Sequence, residues 1–191
     1  MTEIHPQEVP GDPQAARWVV HTGTRGVVGR ILTAPGPFGD LLQEGVISLA
    51  LLETEGIWTW LALGNTWDDR SDEVGEAIAE SLDYDGWEID GDCADLLRLI
   101  ATDVIAGELA ETIAAADTTV EVIENDAGWL LVDLGRIDAR GPAASEELQQ
   151  QIEMAIRERY PVLQEVSRVG GPASGQVAVA STPRRGLWVE E

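Results

Sequence analysis

The sequence predicts an α+β protein made of two small α/β domains, and three observations support this fold class. Short runs of β-branched and aliphatic residues, bounded by glycine, proline or aspartate, are typical of strands. Other segments repeat apolar residues at i, i+3 and i+4, which places them on one face of a helix. The chain has 191 residues, 44% of them hydrophobic, enough for one large domain or two small ones with a core.

The first half is predicted to be rich in strands. Its predicted elements are strands at 16–20 and 27–33, a short helix at 38–43, a hairpin of 46–53 and 57–63, and a helix at 71–82. Val74, Ala77 and Ile78 indicate the last helix because they share one face. Ser71, followed by two acidic residues, is a good helix start, since its oxygen and the negative charge lie beside free amide groups.

The second half is predicted to follow the order α-β-β-α-β. Leu96, Ile100 and Val104 form an apolar helix stripe. The predicted elements after it are a hairpin within 118–134, a helix that starts at Ser145 and stops at Pro161, and a strand at 162–169 that returns to the hairpin.

Glycines and acidic residues around positions 82–92 divide the chain. The predicted parts are a flexible lead at 1–14, a first domain at 15–84, an acidic linker at 85–92, a second domain at 93–169 and a tail at 170–191. Side chains with carboxylate oxygens recur from Asp83 and Asp85 onward. The segment lacks the glycine and the glutamate that an EF-hand loop has at fixed positions. The segment is therefore predicted to be solvated and free of metal.

Residues 118–166 carry a family resemblance. A strand at 118–124, a turn at 125–128 and a strand at 129–134 lead through a loop into the last helix. This stretch resembles the carboxy-terminal scaffold domain of NifU-type proteins, whose loop carries Cys-x-x-Cys-Pro and holds an iron–sulfur cluster with a second subunit. Pro142 matches the motif's proline, and counting back places Asp138 and Gly141 at the two cysteine positions. The resemblance therefore implies a scaffold domain with vacant ligand positions.

The first half resembles the amino-terminal domain that accompanies this scaffold in Nfu-type proteins. The resemblance rests on Leu42, Gly45 and Val46 before the hairpin, then Trp67, and then the helix that contains Val74. The two resemblances together imply a NifU/Nfu-like protein.

Cluster binding requires thiolates, with histidine as an occasional replacement. The chain has one cysteine, Cys93, and two histidines. Cys93 lies near a predicted helix start, where it is expected to be an ordinary small residue, since lone cysteines usually behave as small hydrophobes. No cofactor is therefore expected.

Charge and targeting signals restrict the partners. Twelve basic residues, all arginine, against 35 acidic residues give a net charge of −23. Such a charge repels nucleic acid and anionic lipid. With one cysteine and no signal-peptide pattern at the amino terminus, a cytoplasmic protein is expected.

Two segments are predicted to bind a partner. Arg136 and Arg140 flank the vacant loop and could pair with acidic groups, or merely offset the chain's own charge. The tail carries Arg184, Arg185 and Trp188, which could fold back on the chain or bind a partner by anchor insertion.

Searches for catalytic motifs find no phosphate-binding loop, nucleophile elbow or zinc-protease motif, so no enzyme is expected. The resemblance implies a non-catalytic accessory or adaptor protein in metalloprotein assembly, for iron–sulfur proteins or nickel–iron hydrogenases. Its expected partners are a metalloprotein client or the client's maturation factors, and a monomer is favoured. The alternatives are a cluster carrier with atypical ligands and an acidic enzyme that depends on a divalent metal.

Overall fold

The computed structural model describes residues 4–20, 27–91 and 93–170. It has an α+β fold, as the sequence predicts. The elements are β1 (Pro6–Val9), β2 (Asp12–Val19), β3 (Gly29–Thr33), α1 (Gly36–Gln43), β4 (Ile47–Glu53), β5 (Gly56–Leu61), α2 (Trp67–Ser81), β6 (Glu88–Asp90), α3 (Ala94–Ala106), α4 (Ala110–Ala115), β7 (Glu121–Asp126), β8 (Trp129–Asp133), a 3₁₀ helix (Gly135–Arg140), α5 (Pro142–Arg159) and β9 (Glu165–Arg168).

The first half forms a six-stranded antiparallel sheet in the order β1-β2-β5-β4-β3-β6. Side chains alternate between the two faces of each strand. On β5, Ile57 and Leu61 join Phe38 of α1 and Ile78 of α2 in one core. Trp58 of the same strand belongs to the core on the opposite side of the sheet. The sheet is therefore covered on both faces.

The second half forms a three-stranded sheet in the order β7-β8-β9. β7 and β8 make the predicted antiparallel hairpin, and β9 returns through α5 to pair in parallel with β8. α3 packs against both α5 and β7. The described second half thus has the predicted order, with the first helix divided into α3 and α4.

One hydrophobic core joins the two halves. Val28, Leu51 and Trp58 of the first half pack in the same buried cluster as Leu96 and Ile100 of α3. All five are at most 3% exposed. The second half therefore covers the face of the large sheet opposite α1 and α2.

The predicted lead and linker both take part in the large sheet. Within the lead, β1 pairs with β2 across a turn at Pro10-Gly11, a dipeptide that is itself a turn signal. Within the linker, β6 pairs with β3 because Trp87 and Ile89 pack against the core under α1. The segment was predicted to be a linker because most of its residues are acidic or glycine, although Trp87 and Ile89 are apolar.

Three helices begin earlier than the sequence predicts, and the first of them is α1, which begins at Gly36 rather than at Phe38. α2 begins at Trp67 rather than Ser71, since the Trp67 ring packs edge-on against Trp18 at 5.7 Å. α5 begins at Pro142 rather than Ser145, and proline is well suited to a first helical turn. In the part of the chain that the structure describes, no helix combines the length and apolar character needed to cross a membrane.

Candidate functional site

The loop that the resemblance identifies as the ligand loop joins β8 to α5. Gly141 caps α5 with φ 107° and ψ 163°, a conformation that is essentially restricted to glycine. A cysteine at this position would strain the backbone as long as the loop keeps this conformation. The side chains of Asp138 and Arg140 lie outside the described part of the structure, and Arg136 is exposed.

Cys93 lies at the N-terminal cap of α3. Its thiol is buried, and burial is the main cause that raises its pKa above the ordinary value. A buried structural cysteine of this kind is typically unreactive. Among the described residues, no three His, Cys, Asp or Glu side chains assemble as a metal site, and Asp83 and Asp85 are both exposed.

The second predicted binding segment, in the tail, lies outside the described residues. Arg184, Arg185 and Trp188 lie outside the described residues, as does the whole of 171–191. Of the predicted binding residues, Arg136 alone has a side chain within the described part of the structure.

A groove that the sequence did not predict lies between the large sheet and α3. It has a volume of about 490 Å³ and is lined mainly by apolar side chains. Leu51 and Trp58 are buried at its base. Leu49, Trp60 and Leu99 are half-buried around it, so their apolar surfaces stay in contact with solvent.

Polar contacts hold the aromatic side of the groove in place. The Arg17 guanidinium lies 5.7 Å from the centre of the Trp58 ring, within the range of a cation–π contact. Its Nη1 donates to Gln7 Oε1 at 3.1 Å. Trp60 Nε1 donates to Asp12 Oδ2 at 2.8 Å, which fixes the indole across strands β5 and β2.

A buried ion-pair network adjoins the groove. Glu53, at the end of β4, is fully buried. Its Oε1 accepts a hydrogen bond from Arg17 Nε at 2.7 Å. Arg159, at the end of α5, donates from Nε to Glu53 Oε2 at 2.7 Å. Arg159 Nη1 also donates to Asp103 Oδ2 at 2.7 Å and to Glu108 Oε1 at 3.4 Å. The network thereby connects β2 and β4 of the first half with α3 and α5 of the second half.

The electrostatics of Arg159 follow from these contacts. Burial by itself lowers the pKa of the guanidinium, but hydrogen bonding and attraction from Glu53, and then from Asp103, outweigh it and raise the pKa above its ordinary value. Arg159 therefore stays charged although only 4% exposed. The sequence carried a signal for this role, since Arg159 falls on the apolar stripe of α5 with Ile152 and Ile156.

The groove combines apolar side chains with a few fixed polar groups, which is the general character of a binding site. Arg17 and Asp103 belong to both the groove and the network, so the site is continuous with the junction of the two halves. No protein-family model, curated protein or solved structure significantly matches the chain. Among the described residues, the groove and the loop that ends at Gly141 bear on the predicted functions.

Proposed function

We propose that this chain is a NifU/Nfu-like adaptor in metalloprotein assembly, which acts by protein contacts and carries no cluster of its own. Its clients in this proposal are iron–sulfur proteins or nickel–iron hydrogenases, or their maturation factors. The observation that carries the proposal is the apolar groove at the junction of the halves. The resemblance of residues 118–166 to a scaffold domain supplies the biological setting.

The groove has the chemistry of a protein-binding surface. Hot spots at interfaces are enriched in tryptophan and arginine, surrounded by contacts that exclude water. Trp60, Leu49 and Leu99 provide half-buried apolar surface, and Arg98 is exposed at the edge. A client side chain that entered the groove would bury these surfaces without moving the base of the groove.

The ligand loop supports an adaptor over a cluster carrier. Gly141 has no side chain to offer, and its backbone conformation opposes a replacement with one. Cys93 is buried, with a raised thiol pKa. A cluster at the loop would need thiolates from outside this chain.

Affinity capture from the native organism tests the proposal. The bait is the full chain with an amino-terminal tag, compared with its Leu99→Asp and Leu63→Asp variants. Leu63 is 95% exposed and lies outside the groove, so its variant is a matched control for added charge. We expect metalloprotein subunits or maturation factors with the native chain and the control, and about tenfold less with Leu99→Asp, the loss expected for a hot-spot residue.

Three results would contradict the proposal. Equal recovery with Leu99→Asp would remove the groove from client binding. A stable visible chromophore after anaerobic reconstitution with iron and sulfide would indicate a cluster carrier. A stoichiometric divalent ion that is lost on mutation of Asp83 or Asp85 would indicate the metal-dependent enzyme.

A further inference from the structure

The groove leaves a contiguous apolar surface open between two rigid elements. Leu49 and Trp60 come from neighbouring strands of the sheet, and Leu99 faces them from α3. A concave apolar surface with a few fixed polar groups at its border is the general form of a binding site. Its occupant should carry large apolar side chains.

The exposed border of the groove carries two acidic residues and one basic residue. Glu8 and Asp95 are exposed at its edge, and within the described residues neither forms an ion pair. Arg98 is the exposed basic residue there. In a chain with a net charge of −23, the long-range field adds to this local charge. An occupant with basic residues beside its apolar ones is therefore favoured.

Residues 183–189 of the same chain have this chemistry in their sequence. Arg184 and Arg185 are the chain's one pair of adjacent basic residues, and Leu187, Trp188 and Val189 follow within four positions. The segment lies outside the described residues. Its composition would complement both the apolar base and the acidic edge of the groove.

The covalent connection is long enough for an intramolecular contact. The described chain ends at Gly170, and 183 − 170 = 13 residue steps separate it from Pro183. Thirteen residues can span at most about 43 Å. A domain of this size has a radius of gyration of about 16 Å, so the connection can cover roughly one protein diameter.

We propose that the groove is the binding site of residues 183–189 of the same chain. Leu187, Trp188 and Val189 supply the apolar contact with Trp60 and Leu99, and the arginines face Glu8 and Asp95. This inference extends the proposed function, because a client that uses the groove must displace the segment. It depends on the groove and not on the identity of the client.

Limited trypsin digestion of the full chain tests the contact, since trypsin cleaves after Arg185 only when that bond is accessible. Mass spectrometry follows the loss of residues 186–191 at early times. We expect cleavage to be about tenfold slower than in a synthetic peptide of residues 180–191, as for a segment protected by a local equilibrium. Trp188→Ala should restore the rate of the peptide, and it leaves the described fold untouched.

Groove variants complete the test. Leu99→Asp should speed cleavage several-fold, and Leu63→Asp should not. Cleavage of the native chain at the rate of the peptide, or unchanged protection in Trp188→Ala, would overturn the proposal. Protection that appears only at high protein concentration would also overturn it, in favour of a second copy as the occupant.

The two proposals fail separately. Loss of protection in the trypsin experiment with normal capture of clients would remove the intramolecular contact alone. Normal protection with no client recovered would remove the adaptor function alone. A client peptide identified by capture should speed cleavage after Arg185 when added to the native chain, because both compete for one groove.

Discussion

The ion-pair network and the groove both lie between the large sheet and the second half, and they differ in how far their side chains are buried. At the ion-pair network, Glu53 is fully buried and Arg159 is 4% exposed. At the groove, Leu49 and Trp60 stay half-buried. Arg17 reaches from the groove into the network. Charged groups close the junction in this protein, and an adjoining apolar surface stays open.

This difference follows from the directionality of the interactions. Hydrophobic contact is roughly proportional to area and imposes little geometry. Buried ion pairs stabilise only with well-placed hydrogen bonds, so they constrain how two elements meet. Arg17 binds Oε1 of Glu53 and Arg159 binds both of its carboxylate oxygens, so these bonds fix the halves in one arrangement. The apolar surface of the groove is then free to bind a further segment.

Glu53→Gln gives the largest expected effect. The substitution keeps the shape of the side chain but removes the buried carboxylate that Arg17 and Arg159 both bind. The two arginines then keep a contact with the more exposed Asp103, at 3.8 Å and 2.7 Å. We expect the free energy of unfolding to fall by about 3–5 kcal/mol, as when one member of a buried pair is removed. Urea denaturation followed by tryptophan fluorescence measures it.

Arg70→Met provides the control for this experiment. Arg70 pairs with Glu73 on the surface of α2, where both side chains are exposed. Its loss should change the free energy of unfolding by about 0–1 kcal/mol. Equal effects of the two variants would mean that the network does not hold the halves together.

Leu51→Ala and Leu49→Ala form a matched pair of intermediate effect. Both leucines lie on the same face of β4, but Leu51 is 2% exposed and Leu49 is half-buried in the groove. We expect Leu51→Ala to lower the free energy of unfolding by about 2–5 kcal/mol, through lost burial and a new cavity. Leu49→Ala should lower the free energy of unfolding by about 1 kcal/mol or less, because the side chain of Leu49 is already in contact with solvent. Equal costs in denaturation would show that the groove is closed in solution.

Cys93 gives the smallest expected effect, which depends on pH. Burial raises the pKa of its thiol above the ordinary value of 9.0. The folded state therefore favours the neutral thiol, and this contribution is present below pH 9 and is lost as the pH rises through the folded-state pKa. Native protein should lose stability above pH 9 more steeply than Cys93→Ala. Denaturation at pH 7 and pH 10 compares the slopes, and a steeper slope for Cys93→Ala would contradict the assignment.

Local patterns predicted most of the secondary structure. The β4–β5 hairpin, β9 and the helices were predicted because each depends on residues near in sequence. Some errors arose where a local signal was missed, as at Pro142, and others where a distant contact outweighed a local signal. Trp18 extends α2 to Trp67, and pairing with β3 converts the predicted linker into β6.

The sequence by itself determined the α+β class, the net charge of −23 and the glycine at position 141. Only the tertiary structure decided that Arg159 meets Glu53, 106 residues away, and that Arg17 meets it from 36 residues away. It also decided that Trp60 and Leu99 face one open groove. Periodicity identifies which face of an element is apolar, but the partner of that face depends on how distant elements pack.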